Sequence, residues 1–347
     1  MNIKFGIEQE FVFKNASNEY MDFENISYEL FQKIVDKFPL HLNDNEVFEC
    51  KSLETKPKRC YIEGIERFNN NGILFSTLPK GLEIRTLPSN NIDTLINEFA
   101  ISFKFMKDLC TSHGLYPILT SSHPLKTSAN KIKNKLTERE LQIRTSEELD
   151  NALFSMLMHG MHINISIDIN NDESFQKQLE KLNYYLPYII PYSFSSPFWE
   201  GELFEGVSSR NYFQTTKREL IKIIERKGIK VIQIASFDAC GDLKLLSALL
   251  YLLKGLFHSN LLLQSSKIID INKIRQVSLS GFSDEIILKK SIQVLKLALK
   301  DNHNILSYLK DLAKTNEIYS MKIKRKFEKS KNIIESCSNM YNLDVSG

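Results

Sequence analysis

Two glutamates stand two residues apart near the start of the chain, in the run Phe5-Gly-Ile-Glu-Gln-Glu-Phe11. In an extended strand, Glu8 and Glu10 project from the same face with Cα atoms about 7 Å apart. At that spacing the carboxylates repel each other unless a cation lies between or beside them. Oxygen-rich surroundings select a hard ion, so the spacing favours Mg²⁺ or Mn²⁺ bound together with nucleotide phosphates.

Other segments show the same alternation. Aliphatic side chains occupy every second position, and side chains that can bind a ligand occupy the positions between them. Glu83 and Arg85 share one face of a predicted strand, and His162 and Asn164 share one face of another. For any one strand, a solvated polar face is an equally good interpretation. A structural hydrogen bond is the commoner role for a lone histidine, and an ion pair is as good an interpretation of Arg85 as substrate contact. Because the design recurs, we infer that these faces line one shared cavity.

The apolar spacing predicts the elements that must position these residues. Residues 41–81 are polar and are interpreted as strands and loops, in which Glu46 or Glu49 is a candidate further ligand. No repeat or linker divides the chain, so one catalytic domain is expected over residues 1–347, strand-rich with the site in 1–240 and mainly helical in 241–347. Strands are predicted at 3–13, 81–88, 161–167 and 229–237, and helices at 27–38, 91–110, 172–185, 243–257 and 286–312.

Composition excludes several functional classes. The formal charge is +3 over 347 residues, so no strong field favours nucleic acid or an anionic membrane. The basic run at 322–331 is interpreted as a solvated helix face. Five scattered cysteines without metal-ligand spacing favour a reducing cytoplasm. The apolar stretch 245–257 contains Lys254, so neither a signal peptide nor a membrane span is expected.

Five short motifs, taken in order, resemble the glutamate-cysteine ligase superfamily in its bacterial carboxylate-amine ligase branch. The run that contains Glu8 and Glu10 is similar to the opening strand of that family. The set covers roughly residues 3–260 and is far more specific than any one motif. The other matches are Leu82-Glu-Ile-Arg-Thr-Leu-Pro88 followed by Ser122-His123-Pro124-Leu125, then Gly160-Met-His-Ile-Asn-Ile-Ser166, Ser195-Ser-Pro-Phe-Trp199 with Ser209-Arg210, and Val231-Ile-Gln-Ile-Ala-Ser-Phe-Asp-Ala-Cys240.

The resemblance implies an α+β fold in which a curved antiparallel sheet, a half-barrel of about six strands, is flanked by helices as in glutamine synthetase. It also implies an enzyme that uses ATP to phosphorylate a substrate carboxylate, commonly that of glutamate, before a small amine or amino acid attacks the acyl phosphate. By position, the expected ligands of Mg²⁺ or Mn²⁺ are Glu8, Glu10, Glu83 and His162. The residues expected to contact substrate or nucleotide are Arg210, Arg85, Asn164 and Ser196.

The matched serines need no nucleophilic role. Ser195 and Ser196 precede Pro197, and no G-x-S-x-G elbow surrounds them, so a turn is the more frequent explanation of the pair. Phosphoryl transfer itself asks for charge neutralisation and alignment rather than for a protein nucleophile. Neither the acid, the amine nor the oligomeric state follows from the sequence, and a homodimer stays open.

The last strand departs from the family pattern. Gln233 and Ala235 stand where Glu and Arg are usual, which removes a carboxylate and a guanidinium. Three explanations are open: a different acid or amine, compensation by Asp238 or Lys244, or reduction to a protein that only binds nucleotide or ligand. A metal-dependent hydrolase is a further alternative. We favour a ligase with altered specificity, because a decayed site has no physical reason to keep carboxylates that repel one another.

Overall fold

One antiparallel sheet organises the chain. The computed structural model describes residues 2–40, 53, 57–168, 171–226 and 228–343. The main strands are β1 (Ile3–Lys14), β3 (Cys60–Phe68), β4 (Leu74–Arg85), β6 (Met161–Ile167), β9 (Ile221–Arg226) and β10 (Ile229–Phe237). They lie in the order β3, β4, β1, β6, β10, β9, which confirms the predicted sheet of about six antiparallel strands. The short strands are β2 (Tyr20–Met21) and β5 (Tyr116–Ile118), which pair with β1, and β7 (Phe198–Trp199) and β8 (Glu202–Leu203), which form a separate ribbon.

Helices flank the sheet and fill the last third of the described chain. Asn91 accepts a bond from the Thr94 amide at 3.0 Å and so caps the helix Ile92–Ser112. The pattern at 286–312 is two helices rather than one, because Asn302 caps a new helix. Their bounds are Tyr28–Asp36, Ile92–Ser112, Ala129–Lys133, Glu138–Gln142, Ser146–Met156, Asp172–Tyr185, Ser209–Gln214, Leu243–His258, Ile271–Ser280, Glu285–Ala298, His303–Thr315, Tyr319–Ser330 and Ile333–Cys337.

The main core lies between the helices and the apolar face of the sheet. Alternate side chains of the central strands are fully buried there, among them Ile7, Ile163 and Ile234. They belong to the same cluster as buried residues of the long helices Ile92–Ser112 and Leu243–His258. The predicted strand parity is therefore confirmed, and the polar residues face the other way.

One polar side chain nevertheless points into this core. Gln9 is completely buried, and its amide exchanges two bonds with the backbone of Cys240. Its Nε2 donates to the Cys240 carbonyl at 3.1 Å, and its Oε1 accepts from the Cys240 amide at 2.9 Å. Both ends of the side-chain amide are thus satisfied, and the pair fastens β1 to the segment that follows β10.

A second apolar cluster covers part of the opposite face. On β3, Tyr61, Glu63 and Ile65 alternate onto one side of the strand. Ile65 packs with Leu153 and Met156 in this cluster, together with other residues of the segment 127–158, so that segment roofs the polar face over β3 and β4. We call it the roof segment. Its three helices were not predicted, because each is short and carries few apolar residues.

Four of the five cysteines lie in the part of the chain that the structure describes. Cys60, Cys110, Cys240 and Cys337 are buried free thiols, whereas Cys50 lies outside the described residues. Among the described residues, no helix is both long enough and apolar enough to cross a bilayer.

Replacing the buried Ile163 tests the assignment of the two faces. Ile163→Ala should lower the free energy of unfolding by about 2–5 kcal/mol, because it leaves a cavity in a packed core. Ile229→Ala is the matched control: Ile229 is 57% exposed on β10, so its loss should change stability by less than about 0.5 kcal/mol. Urea denaturation measures both. A larger loss of stability in Ile229→Ala than in Ile163→Ala would show that the faces are assigned the wrong way round, and equal effects would contradict the burial of Ile163.

Candidate active site

The ligand-bearing residues predicted from separate segments meet on neighbouring strands. Glu10 lies opposite Glu83 across the β1–β4 pair, and Glu8 lies between Arg85 and His162. Residues directly opposite in an antiparallel pair point to the same face, with Cβ atoms about 4.5–5.5 Å apart. The structure therefore brings the four expected metal ligands to one surface, which we call the acidic face.

Glu8 is the centre of a hydrogen-bonded row across the acidic face. Gln233 donates from Nε2 to Glu8 Oε2 at 3.2 Å and to Asn164 Oδ1 at 3.1 Å. His162 Nδ1 lies 3.6 Å from the same Glu8 oxygen. Gln233 thus connects Asn164 to Glu8, whereas contact of Asn164 with substrate or nucleotide stays a prediction. Gln233 supplies a donor to Glu8 at the position where a family glutamate would add another negative charge.

Glu83 is buried among other carboxylates. Burial, followed by the charges of Glu8, Glu63 and Glu10, raises its pKa well above the ordinary value. The Tyr61 hydroxyl donates to Glu83 Oε1 and favours the ionised form, but it does not reverse the shift. This electrostatic strain is what a divalent cation would relieve, because it favours the ionised carboxylate.

Arg85 lies opposite Glu8 across the β1–β4 pair and contacts Tyr61. Its guanidinium carbon is 4.8 Å from the centre of the Tyr61 ring, and its Nε donates to the Lys58 carbonyl. Arg85 therefore supports the tyrosine that donates to Glu83. A direct contact between Arg85 and substrate stays a prediction.

Lys80 is a site residue that the sequence analysis missed. Its ammonium is 2.8 Å from Glu10 Oε1 and 3.9 Å from Glu63, and its side chain is only 3% exposed. Burial alone would raise the pKa of Glu10, but Lys80, followed by His162 and Arg210, holds that pKa below its ordinary value. Lys80 reaches the acidic face because β4 is irregular where it pairs with β3, and no periodicity in the sequence reveals that irregularity.

Arg210 is held beneath the end of β10. Its guanidinium donates to the carbonyls of Phe237 and Ala235 at 2.9 and 2.7 Å, and the residue is 3% exposed. Gly160 permits this placement, since a Cβ there would lie 2.3 Å from Arg210 Nη2. Burial lowers the pKa of Arg210, and the negative charges of Asp238 and Glu10 offset that shift only in part. The predicted contact of Arg210 with phosphate or substrate carboxylate stays a prediction.

Ser196 belongs to a buried network around Asp238. Its hydroxyl donates to Asp238 Oδ2 at 2.7 Å, and the Ser195 amide donates to the same oxygen at 2.8 Å. Asn211 completes the shell with a bond of 2.9 Å to Oδ1. These bonds agree with the interpretation of the serine pair as a turn, whereas nucleotide contact by Ser196 stays a prediction. Asp238 is committed to this network and does not replace the carboxylate missing at Gln233.

Lys244 does not replace the missing guanidinium. It lies on the helix Leu243–His258, with Nζ 4.4 Å from the centre of the Tyr308 ring, and lines a cavity of about 700 Å³ among the C-terminal helices. Lys222 is better placed, because it lies opposite Gln233 across the β10–β9 pair and shares its face. Burial and the charge of Arg218 lower the pKa of Lys222. This lysine was missed because β9 was not predicted.

A histidine cluster lies next to the acidic face. His123 Nε2 is 2.8 Å from Asp22 Oδ2, and His159 Nε2 is 3.1 Å from the Tyr20 hydroxyl. Burial, followed by the charge of Lys80, lowers the pKa of His159 well below its ordinary value. His159 directly precedes Gly160, whose amide donates to Glu10. The cluster therefore helps to fix the residues just before β6, where the Gly160 amide donates to Glu10.

The acidic face offers donors for a divalent cation. Among the described residues, no three His, Cys, Asp or Glu side chains are already assembled around a common point. Glu8, Glu83 and His162 nevertheless share one face and supply the oxygen and nitrogen donors that Mg²⁺ or Mn²⁺ accepts. The candidate ligands Glu46 and Glu49 lie outside the described residues.

Comparison with known sequences identifies one family. The sequence model of glutamate-cysteine ligase family 2 matches residues 5–226. A Roseiflexus sp. RS-1 protein with the provisional name glutamate–cysteine ligase 2 is 26% identical over 168 residues, which are 47% of this chain and 43% of that protein. The Rhodospirillum rubrum relative of the same name is 32% identical over 90 residues, 26% of this chain and 22% of that protein. The matched stretches span less than half the length of these curated relatives.

Solved structures share the fold. Glutamate–cysteine ligase from Francisella tularensis in complex with AMP superposes with a TM-score of 0.62 at 13% identity, covering 100% of this chain and 91% of that one. The ligase PafA in complex with the prokaryotic ubiquitin-like protein Pup gives a TM-score of 0.56 at 12% identity, covering 99% and 74%. At these identities the similarity shows the fold alone.

The raised pKa of Glu83 predicts a pH dependence of stability in metal-free buffer. The folded protein holds the Glu83 proton more tightly than the unfolded chain does. The resulting stability is fully present below about pH 4.5 and is lost as the pH rises through the folded pKa. The variant Glu83→Gln has no such proton. Its free energy of unfolding should therefore increase relative to that of the unaltered protein as the pH rises from 4.5 to about 9.

Urea denaturation at several pH values, with a chelator present, measures the effect. The matched control is Glu225→Gln, because Glu225 is an exposed carboxylate on the opposite face of the same sheet. Its stability difference from the unaltered protein should not change with pH in this way. A Glu83→Gln difference that stays constant over the whole range would contradict the raised pKa.

Proposed function

The chain belongs to glutamate-cysteine ligase family 2, and on that premise we propose that it is an ATP-dependent ligase that joins a carboxylate to an amine. The γ-phosphoryl group of ATP passes to the carboxylate, which gives ADP and an acyl phosphate. The amine then attacks the acyl carbon, an amide bond forms and phosphate leaves. The observation that supports this most is the acidic face, where Glu8, Glu83 and His162 from three neighbouring strands lie together.

The acidic face suits phosphoryl transfer because that reaction depends on alignment and charge neutralisation. Glu8, Glu83 and His162 would hold Mg²⁺ or Mn²⁺. When bound, the ion neutralises the triphosphate and orients its terminal phosphate. Gln233 positions Glu8 and is itself held by Asn164. Contact of Asn164 with phosphate or substrate is part of the proposal.

Cations at the rim of the acidic face favour an anionic substrate. Lys222 shares the face of Gln233 at the outer strand, where the ammonium can meet the second carboxylate of an acid such as glutamate. Arg210 supports the backbone of β10 from below, next to Ala235. Ala235 stands where the family usually has an arginine, and the neighbouring strand carries the cation Lys222 on this face. We therefore propose that the acid or the amine differs from those of glutamate–cysteine ligases.

The remaining properties follow from the same proposal. The co-substrates are an amino-acid carboxylate and a small amine or amino acid. The reaction takes place in one catalytic domain over residues 1–347, with its site in 1–240. The four buried thiols suit a reducing cytoplasm. A homodimer stays a prediction.

An ADP-release assay tests the proposal directly. The protein is incubated with ATP and Mg²⁺ over a panel of amino acids and amines, and ADP and amide product are measured. Production of both, dependent on an acid and an amine, supports the ligase. Nucleotide binding without turnover over the whole panel would favour a binding protein. Hydrolysis that needs no ATP would favour a hydrolase.

Glu8→Gln should reduce ADP release by on the order of 100-fold, because it removes a charged ligand while keeping the size of the side chain. Retained circular dichroism and an unchanged Tm would show that the fold survives. Glu225→Gln is the control, since it removes an exposed carboxylate from the opposite face and should leave turnover unchanged. Full activity of Glu8→Gln would remove Glu8 from the site.

A further inference from the structure

The Lys80 ammonium has a complete set of acceptors. Besides Glu10 Oε1 at 2.8 Å, it donates to the carbonyls of Ser155 and Met158 at 3.0 and 2.9 Å. An ammonium has three donors, and these contacts use all of them. The other oxygen of Glu10 accepts a bond of 3.0 Å from the Gly160 amide. Both oxygens of this carboxylate are therefore engaged by the protein itself.

We propose that Lys80 is a built-in cation that neutralises Glu10 and keeps this carboxylate out of the ligand set of the divalent ion. The ion is then held by Glu8, Glu83 and His162. The identity of the ion rests on the proposed function, whereas the role of Lys80 rests on its own contacts. The proposal revises the expectation that Glu10 is a metal ligand.

Electrostatics opposes two cations on Glu10. Mg²⁺ binds carboxylate oxygens at about 2.0–2.1 Å, so an ion on Glu10 would lie close to the Lys80 ammonium. Glu10 is 7% exposed, so solvent screens the repulsion between the two cations only weakly. Displacing Lys80 instead would leave a buried ammonium without its carboxylate, which desolvation disfavours.

Lys80 also fastens the roof segment to the acidic face. Ser155 lies in the last turn of the helix Ser146–Met156 and Met158 follows its C-cap, Leu157, so Lys80 lies at the helix end where the dipole favours a cation. One ammonium therefore serves both this helix end and Glu10. A metal ion bound to Glu10 alone would not make the bonds that Lys80 makes to the roof segment.

Counting bound Mn²⁺ tests the proposal without relying on turnover. Free Mn²⁺ is titrated by electron paramagnetic resonance in the presence of a non-hydrolysable ATP analogue. Lys80→Ala removes the ammonium and leaves the Glu10 carboxylate. We expect this variant to bind one more Mn²⁺ ion per chain than the unaltered protein, and Mn²⁺ to raise its Tm by a larger amount. The double variant Lys80→Ala/Glu10→Gln is the matched control and should not gain the extra ion.

A second pair of variants keeps Lys80 in place, so it does not depend on the folding of Lys80→Ala. Glu10→Gln should leave the Mn²⁺ count unchanged, whereas Glu8→Gln should lower it. Loss of an ion in Glu10→Gln, or equal counts in Lys80→Ala and the unaltered protein, would overturn the proposal. Absence of ADP release with the predicted Mn²⁺ counts would instead reject the ligase and leave the role of Lys80 standing.

Discussion

Repulsion among carboxylates on one face of the sheet is the constraint on which the rest of the site depends. Glu8, Glu10, Glu63 and Glu83 all act on the same small region, and burial removes much of the water that would screen them. Three neighbouring side chains reduce this repulsion through different contacts. Lys80 neutralises Glu10, the Tyr61 hydroxyl donates to Glu83, and the Gln233 amide donates to Glu8.

The apolar side of the same strands offsets this cost. Every second residue of the central strands lies in the main core, so a change of register by one residue would exchange the two faces. Register is therefore strongly specified, and with it the position of each carboxylate opposite its neighbour. Gln9 reinforces this alignment, because its two bonds to Cys240 join β1 to the segment after β10. Stability and site geometry thus depend on the same strand pairing.

Residues that follow strand periodicity could be predicted from the sequence. Glu8, Glu83 and His162 stand on strands whose alternation is clear, and their segments carry the motifs that indicate the fold. Lys80 could not be predicted in the same way, because it lies at an irregularity of the β3–β4 pair. Lys222 was missed for a different reason: β9 is a short strand whose position opposite Gln233 depends on tertiary pairing. Periodicity in the sequence identifies the face of a strand on which a residue lies. The pairing of the strands, including its irregularities, decides which further charged residues lie beside it.

Two side chains of the acidic face change its charge in the same direction. Gln233 stands where a glutamate is usual and so removes one negative charge beside Glu8, while it keeps an amide donor to that carboxylate. Lys80 adds one positive charge beside Glu10. Both changes lower the negative charge that bound cations would have to balance. The acidic face is therefore better understood as a site that needs fewer metal ions than as a decaying one, because random loss of function would not be expected to leave each remaining carboxylate with a well-placed partner.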